Sequence, residues 1–241
     1  MNQVLAMTAT ATALQIRSAA RTHVGRVRAV NEDRMLDLPE RGLWAVADGM
    51  GGHAAGGAAA TDAVRALCTL AAQDVPGVDA VDQALAQAHA AIRAAGDDRG
   101  TTIAGLLLDG TRFTAFWIGD SRVYRLRERS LEQLSHDHSL VQELVDSGTL
   151  TPAQAARHPH ANVITRAIGI DAWSPCEAVG GEAQRRDRFL ICSDGLSSLV
   201  DAGMIAAALA GDPIAAADGL VSAALDAGGT DNVTAIVIAL D

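Results

Sequence analysis

Four aspartates stand at the ends of short apolar runs, where acidic side chains can meet at one edge of a fold. Three runs end at an aspartate: Leu43 to Ala47 before Asp48, Phe116 to Ile118 before Asp120, and Phe189 to Cys192 before Asp194. The fourth acid, Asp231, precedes Asn232 and the run from Val233 to Leu240. Short continuous apolar stretches bounded by turn residues predict strands that are buried on both faces.

These carboxylates predict a site for a hard divalent cation. An acidic side chain at the edge of a buried strand is costly unless a positive charge neutralises it. Gly49, Gly119 and Gly195 stand beside three of the four acids and allow close approach of the backbone. Carboxylate oxygens suit Mg²⁺ or Mn²⁺ far better than they suit zinc. The pattern therefore predicts a Mg²⁺ or Mn²⁺ site at the ends of several strands.

Two further segments carry residues that suit phosphate chemistry. VRAVNED places Arg28 before Glu32 and Asp33. A guanidinium fork matches phosphate oxygens, and adjacent acids can hold metal-bound water, although a solvated surface also fits these residues. DGMGGH follows the first run; here the carbonyl of Gly49 can join a metal site. His53 has an intrinsic pKa suited to protonating a leaving alkoxide, and a polar residue in the first turn of a helix is the alternative.

The length and composition of the chain indicate a single domain with a net negative charge. The chain has 241 residues, 49% apolar content and no linker-like segment, so residues 18–241 are expected to form one domain after a mobile N-terminus at 1–17. A formal charge of −10 argues against a nucleic-acid surface and favours cations or basic partners.

The cysteines and the hydropathy bear on location. Cys68, Cys176 and Cys192 show no CxxC spacing, and the first and last lie in apolar patterns, which predicts buried, reduced thiols in a cytoplasmic protein. No apolar run reaches the roughly 18 residues that a membrane span needs, so no membrane partner is expected.

Local patterns predict helices in pairs between groups of strands. Apolar spacing after Gly57 predicts two amphipathic helices, and Asp109-Gly110 predicts a hairpin between strands at 102–108 and 112–126. Helix starts are predicted at Ser139, Thr151, Asp201 and Asp212, and Gly228-Gly229 is predicted to end the last of these helices. This order fits two central sheets covered by helices on both outer faces.

Six segments in order carry a resemblance to a known family. They are VRAVNED (27–33), ADGMGGHAAG (47–56), GTT (100–102), IGDSRVYRLR (118–127), CSDG (192–195) and TDNVT (230–234). The chain resembles the bacterial branch of the metal-dependent PP2C, or PPM, family of serine/threonine protein phosphatases over about residues 18–241. The resemblance implies an α+β fold, a four-layer α-β-β-α sandwich with two central, mainly antiparallel sheets. It also implies that residues 136–169 form a helical flap beside the site, while a packed helical hairpin with Leu140, Leu144 and Val145 in the core is the alternative.

The resemblance also implies a metal arrangement. Asp48 matches the carboxylate that bridges two Mn²⁺ or Mg²⁺ ions, with Asp194 and Asp231 on the first ion and the Gly49 carbonyl on the second. Asp120 matches the acid that, together with Asp194, holds a third and weaker ion in bacterial members.

Other matched residues act around these ions. Glu32 and Asp33 match outer acids that act mostly through water, and Arg28 matches the phosphate-binding arginine. Met50 stands where animal members carry a histidine thought to be the general acid. His53 is one candidate for that role, and water is the other.

The implied activity is hydrolysis of phosphoserine and phosphothreonine in proteins by direct attack of a hydroxide that bridges the two ions. The DHSLVQEL stretch (137–144) is also similar to phosphatases that accompany type VI secretion systems and oppose a kinase acting on a forkhead-associated scaffold. Two alternatives stay open: a catalytically silent module that binds phosphoproteins, and a two-metal phosphoesterase acting on small phosphorylated molecules.

Overall fold

The computed structural model describes residues 14–51, 55–70, 76–96, 98–170 and 172–241. Within these ranges the strands are β1 Ile16–His23, β2 Arg34–Leu38, β3 Leu43–Ala47, β4 Gly49–Met50, β5 Gly100–Thr101, β6 Ile103–Asp109, β7 Arg112–Ile118, β8 Arg122–Arg127, β9 Ser130–Gln133, β10 Glu177–Glu182, β11 Arg188–Cys192 and β12 Val233–Leu240. The helices are α1 Ala55–Leu70, α2 Val78–Ala94, α3 Leu140–Asp146, α4 Pro152–Ala155, α5 Asp194–Ser197, α6 Ala202–Leu209 and α7 Pro213–Asp226.

Two five-stranded antiparallel sheets form the centre of the fold. Sheet 1 has the order β1-β12-β11-β8-β9, and sheet 2 has the order β10-β7-β6-β3-β2. The apolar layer between them includes Trp44, Phe189 and Ile236. Helices α1 and α2 pack on the outer face of sheet 2, and α5, α6 and α7 pack on the outer face of sheet 1. The predicted four-layer α-β-β-α sandwich is confirmed.

The continuous apolar runs form central strands, as predicted. Every residue of β3 and of β12 is buried, because each strand has a sheet partner on both sides and an apolar layer on both faces. The acids that follow or precede these strands are therefore held at the ends of the most buried part of the chain.

The hairpin at Asp109-Gly110 is confirmed, but the run at 112–126 divides between the two sheets. β7 pairs with β6 in sheet 2, whereas β8 pairs with β11 in sheet 1. The chain changes sheet at Gly119, which has φ +106, and a side chain there would overlap Thr102. Only glycine suits this backbone and this contact. The crossing places Asp120 between the two sheets.

The predicted helix starts are confirmed by their hydrogen bonds. Ser139 accepts a bond from the backbone of Gln142, and Thr151 with Gln154 forms a complete capping box. Asp201 and Asp212 cap α6 and α7 in the same way.

The flap, residues 136–169, contains α3 and α4 and lies between β9 and β10. The alternative that placed Leu140, Leu144 and Val145 in the core is wrong, because all three are half-buried and α3 buries only Val141. The flap is held at its ends instead: Ser139 pairs with Ile164, and Ile168 pairs with Thr101 of β5.

The expected domain boundary and the expected burial of the thiols are only partly correct. β1 begins at Ile16 and pairs with β12, so the sheet starts two residues before the expected domain boundary at residue 18. Residues 1–13, which were also expected to be mobile, lie outside the described residues. Cys192 is buried as predicted, but Cys68 is exposed because it lies on the outer side of α1. In the described ranges, every helix is too short or too polar to cross a membrane.

Candidate metal and phosphate site

An acidic cavity of about 230 Å³ opens where strands of both sheets end. The predicted site residues that line it are Arg28, Glu32, Asp48, Gly49, Asp120, Asp194 and Asp231. Asp33 is not part of the lining and lies buried beside it. His53 lies outside the described residues, so its role stays a prediction.

Asp48 is held through its backbone by two threonines. Its N–H donates to Thr102 Oγ1 (3.1 Å), and its carbonyl accepts from Thr101 Oγ1 (2.9 Å) and from the backbone N–H of Thr102 (2.9 Å). Both threonines belong to the GTT segment, residues 100–102, which contains β5 and for which the sequence predicted no role. With its backbone fixed in this way, the Asp48 side chain points from the end of β3 towards the cavity that it lines.

The loops that carry Asp194 and Asp231 are in direct contact. A side chain at Gly195 would overlap the carbonyl oxygen of Asn232, so only glycine allows these loops to meet. The amide of Asn232 donates to the carbonyls of Val24 (2.8 Å) and Val30 (2.9 Å). Asn232 therefore joins the VRAVNED segment to the start of β12.

Glu32 and Asp33 make direct protein hydrogen bonds. Glu32 Oε1 accepts from the backbone N–H of Gly57 in α1 (3.1 Å). Asp33 Oδ2 accepts from Ser193 Oγ (2.8 Å) and Thr234 Oγ1 (2.6 Å), residues that flank the other two acidic loops. Both acids thus tie their segment to neighbouring elements.

Asp120 is positioned through the base of the flap. The preceding residue, Gly119, donates its N–H to His138 Nδ1 (3.0 Å), and its carbonyl accepts from the backbone N–H of His138 (2.9 Å). His138 Nε2 lies 3.0 Å from Glu177, which also binds Arg166 of the flap (2.8 Å). The backbone next to Asp120 is therefore bonded to His138 at the start of the flap and is linked, through His138 and Glu177, to Arg166 near its end.

Burial and crowding raise the pKa values of the clustered acids. Burial, followed by repulsion from Asp33, Asp194 and Asp120, raises the pKa of Asp48 well above its usual range. Burial is also the main cause that raises the pKa of Asp33 to about 6 and that of Asp120 to about 7. The pKa of Asp194 is raised by burial as well, although a hydrogen bond with Asp48 opposes the rise. Acids held so close favour any cation that enters.

Arg28 is the only cationic side chain in the described lining of the cavity. Its Nη2 donates to Asp231 Oδ2 at 2.7 Å, and 57% of its side chain is exposed. Since more than half of the side chain is exposed, its other donors are accessible to an anionic ligand.

The donor set fits a hard divalent cation. Asp33 Oδ1 and Asp194 Oδ1 are buried without a hydrogen-bond partner, and unpartnered buried carboxylate oxygens are costly. Among the described residues, however, no three His, Cys, Asp or Glu side chains already converge on one point. The acids share a cavity, while Arg28 draws Asp231 towards the mouth and Asp48 bonds to Asp194.

The flap contributes two lining residues that the sequence did not indicate, Asn162 and Ile164. No local signal marks them, since they lie at least 42 positions from Asp120 and at least 30 positions from Asp194 along the chain. The Thr101-Thr102 pair carried a signal in its GTT segment, but its purpose becomes visible only through its bonds to Asp48.

Comparisons with known proteins agree with this geometry. The sequence profile of the protein phosphatase 2C family matches residues 21–211. The serine/threonine protein phosphatase PstP of Mycobacterium tuberculosis is 41% identical over 238 residues, which cover 93% of this chain and 45% of PstP. The chain thus spans less than half the length of that relative.

Two solved structures superpose closely on this chain. The catalytic domain of PstP in complex with two manganese ions has a TM-score of 0.86 at 38% identity and covers 95% of this chain and 99% of that one. PppA, described as a key regulatory component of the type VI secretion system in Pseudomonas aeruginosa, has a TM-score of 0.85 at 38% identity and covers 95% and 100%. With the sandwich, the acids at its strand ends and the profile match all in agreement, the chain belongs to the protein phosphatase 2C family.

Proposed function

We propose that this chain hydrolyses phosphoserine and phosphothreonine in proteins and that it depends on Mn²⁺ or Mg²⁺. One observation carries the proposal: three acids with raised pKa values, Asp48, Asp120 and Asp194, line one cavity with Arg28, and a fourth such acid, Asp33, is buried beside it. A cavity so rich in carboxylates repels a phosphate group unless cations neutralise it. The cations and the arginine together make a phosphate site.

Asp48, Asp194, Asp231 and the Gly49 carbonyl are the proposed ligands of two ions, and Asp120 with Asp194 those of a third. When bound, such ions supply Lewis acidity and an ionised water for attack on phosphorus. The manganese reported for the PstP catalytic domain supports this assignment.

Arg28 is proposed to hold the phosphate oxygens. Its Nη2 is engaged by Asp231, which fixes the direction of the fork, and its exposure leaves the other donors open to a ligand. A guanidinium in this position binds equatorial oxygens and stabilises charge on the transferring group. Glu32 and Asp33 are proposed to support the site through the loops that they hold together and through ordered water.

The test measures hydrolysis of p-nitrophenyl phosphate and of a phosphothreonine peptide with Mn²⁺ present and then chelated. We expect turnover of both substrates only with the metal. Arg28→Ala should raise KM for the peptide by roughly tenfold, since a hydrogen bond to a charged group contributes about 1.5–3 kcal/mol. Arg26→Ala is the matched control, because Arg26 is equally exposed but pairs with Asp226.

Two other outcomes favour the alternatives. Peptide binding without hydrolysis would favour a silent phosphoprotein-binding module. Metal-dependent hydrolysis of nucleotides alone would favour a phosphoesterase for small molecules.

His53 is proposed to protonate the leaving serine or threonine oxygen, with water as the competitor. A general acid matters most for poor leaving groups. His53→Ala should therefore slow phenyl phosphates with high leaving-group pKa more than those with low pKa. An equal effect across the series would favour water.

The finer biological setting is also proposed. The likeness to PppA supports a role opposite a serine/threonine kinase that acts on a forkhead-associated scaffold of a type VI secretion system. The three free cysteines support a reducing, cytoplasmic location. Dephosphorylation of such a scaffold, compared between active protein and Asp48→Asn, tests the assignment.

A further inference from the structure

A second cavity lies under the flap and joins the acidic cavity. This flap cavity has a volume of about 420 Å³, so it is larger than the acidic cavity. The two cavities share Asp120, Asn162 and Asp194 in their walls. A ligand whose phosphate enters the acidic cavity therefore has open space beside it, between the flap helices and the start of β8.

An ion pair between Arg122 and Asp137 lines the flap cavity, and both side chains hydrogen-bond to each other and to neighbouring protein groups. Arg122 donates from Nε to both oxygens of Asp137 (2.9 Å each) and from Nη2 to Oδ2 (2.6 Å). Gln133 adds a bond to Asp137 Oδ1 (2.9 Å), and Arg122 Nη1 reaches Tyr124 (3.1 Å). The two opposite charges cancel each other, so this ion pair offers little attraction to an ionic group.

The flap side of the cavity carries a group of aliphatic residues beside the uncharged polar residues Ser139, Gln142 and Asn162. The aliphatic residues are Val141, Val145, Pro152, Ala155, Ala156 and Ala161. Val145 in α3 is half-buried and Ala156, directly after α4, is exposed, so part of this aliphatic surface is open to solvent. Covering this surface with aliphatic groups removes it from water and is favourable.

We propose that the flap cavity binds an aliphatic side chain of the substrate protein within two residues of the phosphorylated serine or threonine. This inference rests on the proposed phosphatase function and adds a substrate preference to it. A charged head of either sign would lose water without gaining a partner, because Arg122 and Asp137 already satisfy each other.

The test uses phosphothreonine peptides that carry leucine, asparagine or glutamate at one position within two residues of the phosphothreonine. With Mn²⁺, kcat/KM for the leucine peptide should exceed that for the glutamate peptide by roughly tenfold at one of these positions, the usual discrimination of an apolar pocket. Equal turnover of all peptides, or a preference for glutamate, would overturn the assignment.

Two variants locate the preference. Ala156→Phe fills the cavity and should remove most of the advantage of leucine, and Val145→Thr, which adds a hydroxyl at nearly the same shape, should reduce it. Ala153→Phe is the matched control, since Ala153 is an exposed residue of α4 that does not line the cavity. A leucine preference that both cavity variants retain would place the side chain elsewhere and contradict the proposal.

Hydrolysis of p-nitrophenyl phosphate separates this inference from the function on which it rests. p-Nitrophenyl phosphate has no peptide side chain to place in the flap cavity, so its turnover should be the same in all these variants. Wild-type protein that fails to hydrolyse it with Mn²⁺ contradicts the proposed function. Normal hydrolysis together with indifference to the peptide side chain contradicts the flap-cavity assignment alone.

Discussion

Two groups of buried aspartates in this molecule differ in how their charge is neutralised. Asp187, which is 1% exposed, receives two hydrogen bonds from Arg127 (2.8 and 2.7 Å) and one from the backbone of Gln184 (2.9 Å). Asp137 is held in the same way by Arg122. The acids around Asp48 have one another as neighbours, and Arg28, the arginine that lines their cavity, bonds to Asp231.

This difference in charge neutralisation distinguishes aspartates that stabilise the fold from aspartates that can bind a ligand. When a buried carboxylate is hydrogen-bonded to an arginine of the same chain, its charge is neutralised within the fold and no ligand is required. The group that contains Asp33, Asp48, Asp120 and Asp194 is left with raised pKa values and two unpartnered oxygens. Such a group is stabilised by a ligand that the chain itself does not supply, which is the property of a binding site.

The largest effect is expected at Asp48. Metal ions contribute several kcal/mol to stabilising a transition state, and at about 1.4 kcal/mol per tenfold the loss of this ligand should lower kcat by roughly a thousandfold or more. Asp48→Asn should nevertheless keep or increase the free energy of unfolding in chelator, because it removes a repelling carboxylate. Mn²⁺-dependent turnover and urea unfolding of the same variant measure both effects. Full activity would break the assignment.

Asp187→Asn should show the opposite pattern. Removing one partner of a buried ion pair typically costs about 3–5 kcal/mol, because Arg127 is left without its counter-charge. We expect a lower urea midpoint and, at low temperature where the protein is folded, unchanged kcat/KM. A variant that is stable but inactive would mean that the two groups are not distinct.

The pH dependence of stability should reveal the unneutralised acids. The folded pKa values of Asp33 and Asp120, about 6 and about 7, exceed the usual value near 4 for an unfolded chain, so the folded protein binds more protons between these limits. In chelator the free energy of unfolding should therefore fall as the pH rises from about 4 to about 7, on the order of 2–3 kcal/mol for each group.

Two controls accompany that measurement. Asp120→Asn should flatten the decline, and Mn²⁺ at pH 7.5 should restore stability, because a ligand that binds only the folded state stabilises it. A stability that is flat or increases over this range would contradict the raised pKa values.

The smallest effect is expected for an exposed pair. Arg21 and Asp218 form a surface salt bridge with side chains that are 39% and 56% exposed. Asp218→Asn should change the free energy of unfolding by less than about 1 kcal/mol, since water screens such pairs. Thermal or urea unfolding measures this change and sets the baseline for Asp187→Asn. A cost comparable to that of Asp187→Asn would mean that burial does not control the contribution of the pair.

Local features of the fold could be predicted from the sequence because their causes are local. The apolar run of β12 indicates a strand buried on both faces, and Thr151 with Gln154 indicates a helix start, since both signals span only a few residues. The same locality explains two errors. The run at 112–126 was not divided at Gly119, and Cys68 was expected to be buried, because periodicity does not state which sheet or which side of a helix meets the core.

By itself, the sequence determined the central apolar strands, four helix starts, the family and the set of acids that could bind metal, since residue type and short-range spacing specify them. Only the tertiary structure decided which buried aspartates are paired with an arginine side chain. Asp187 and Arg127 lie 60 positions apart, and Asp33 meets Thr234 across 201 positions. No local pattern encodes such a contact, because the free energy of a buried charge depends on whichever distant segments the fold brings to it.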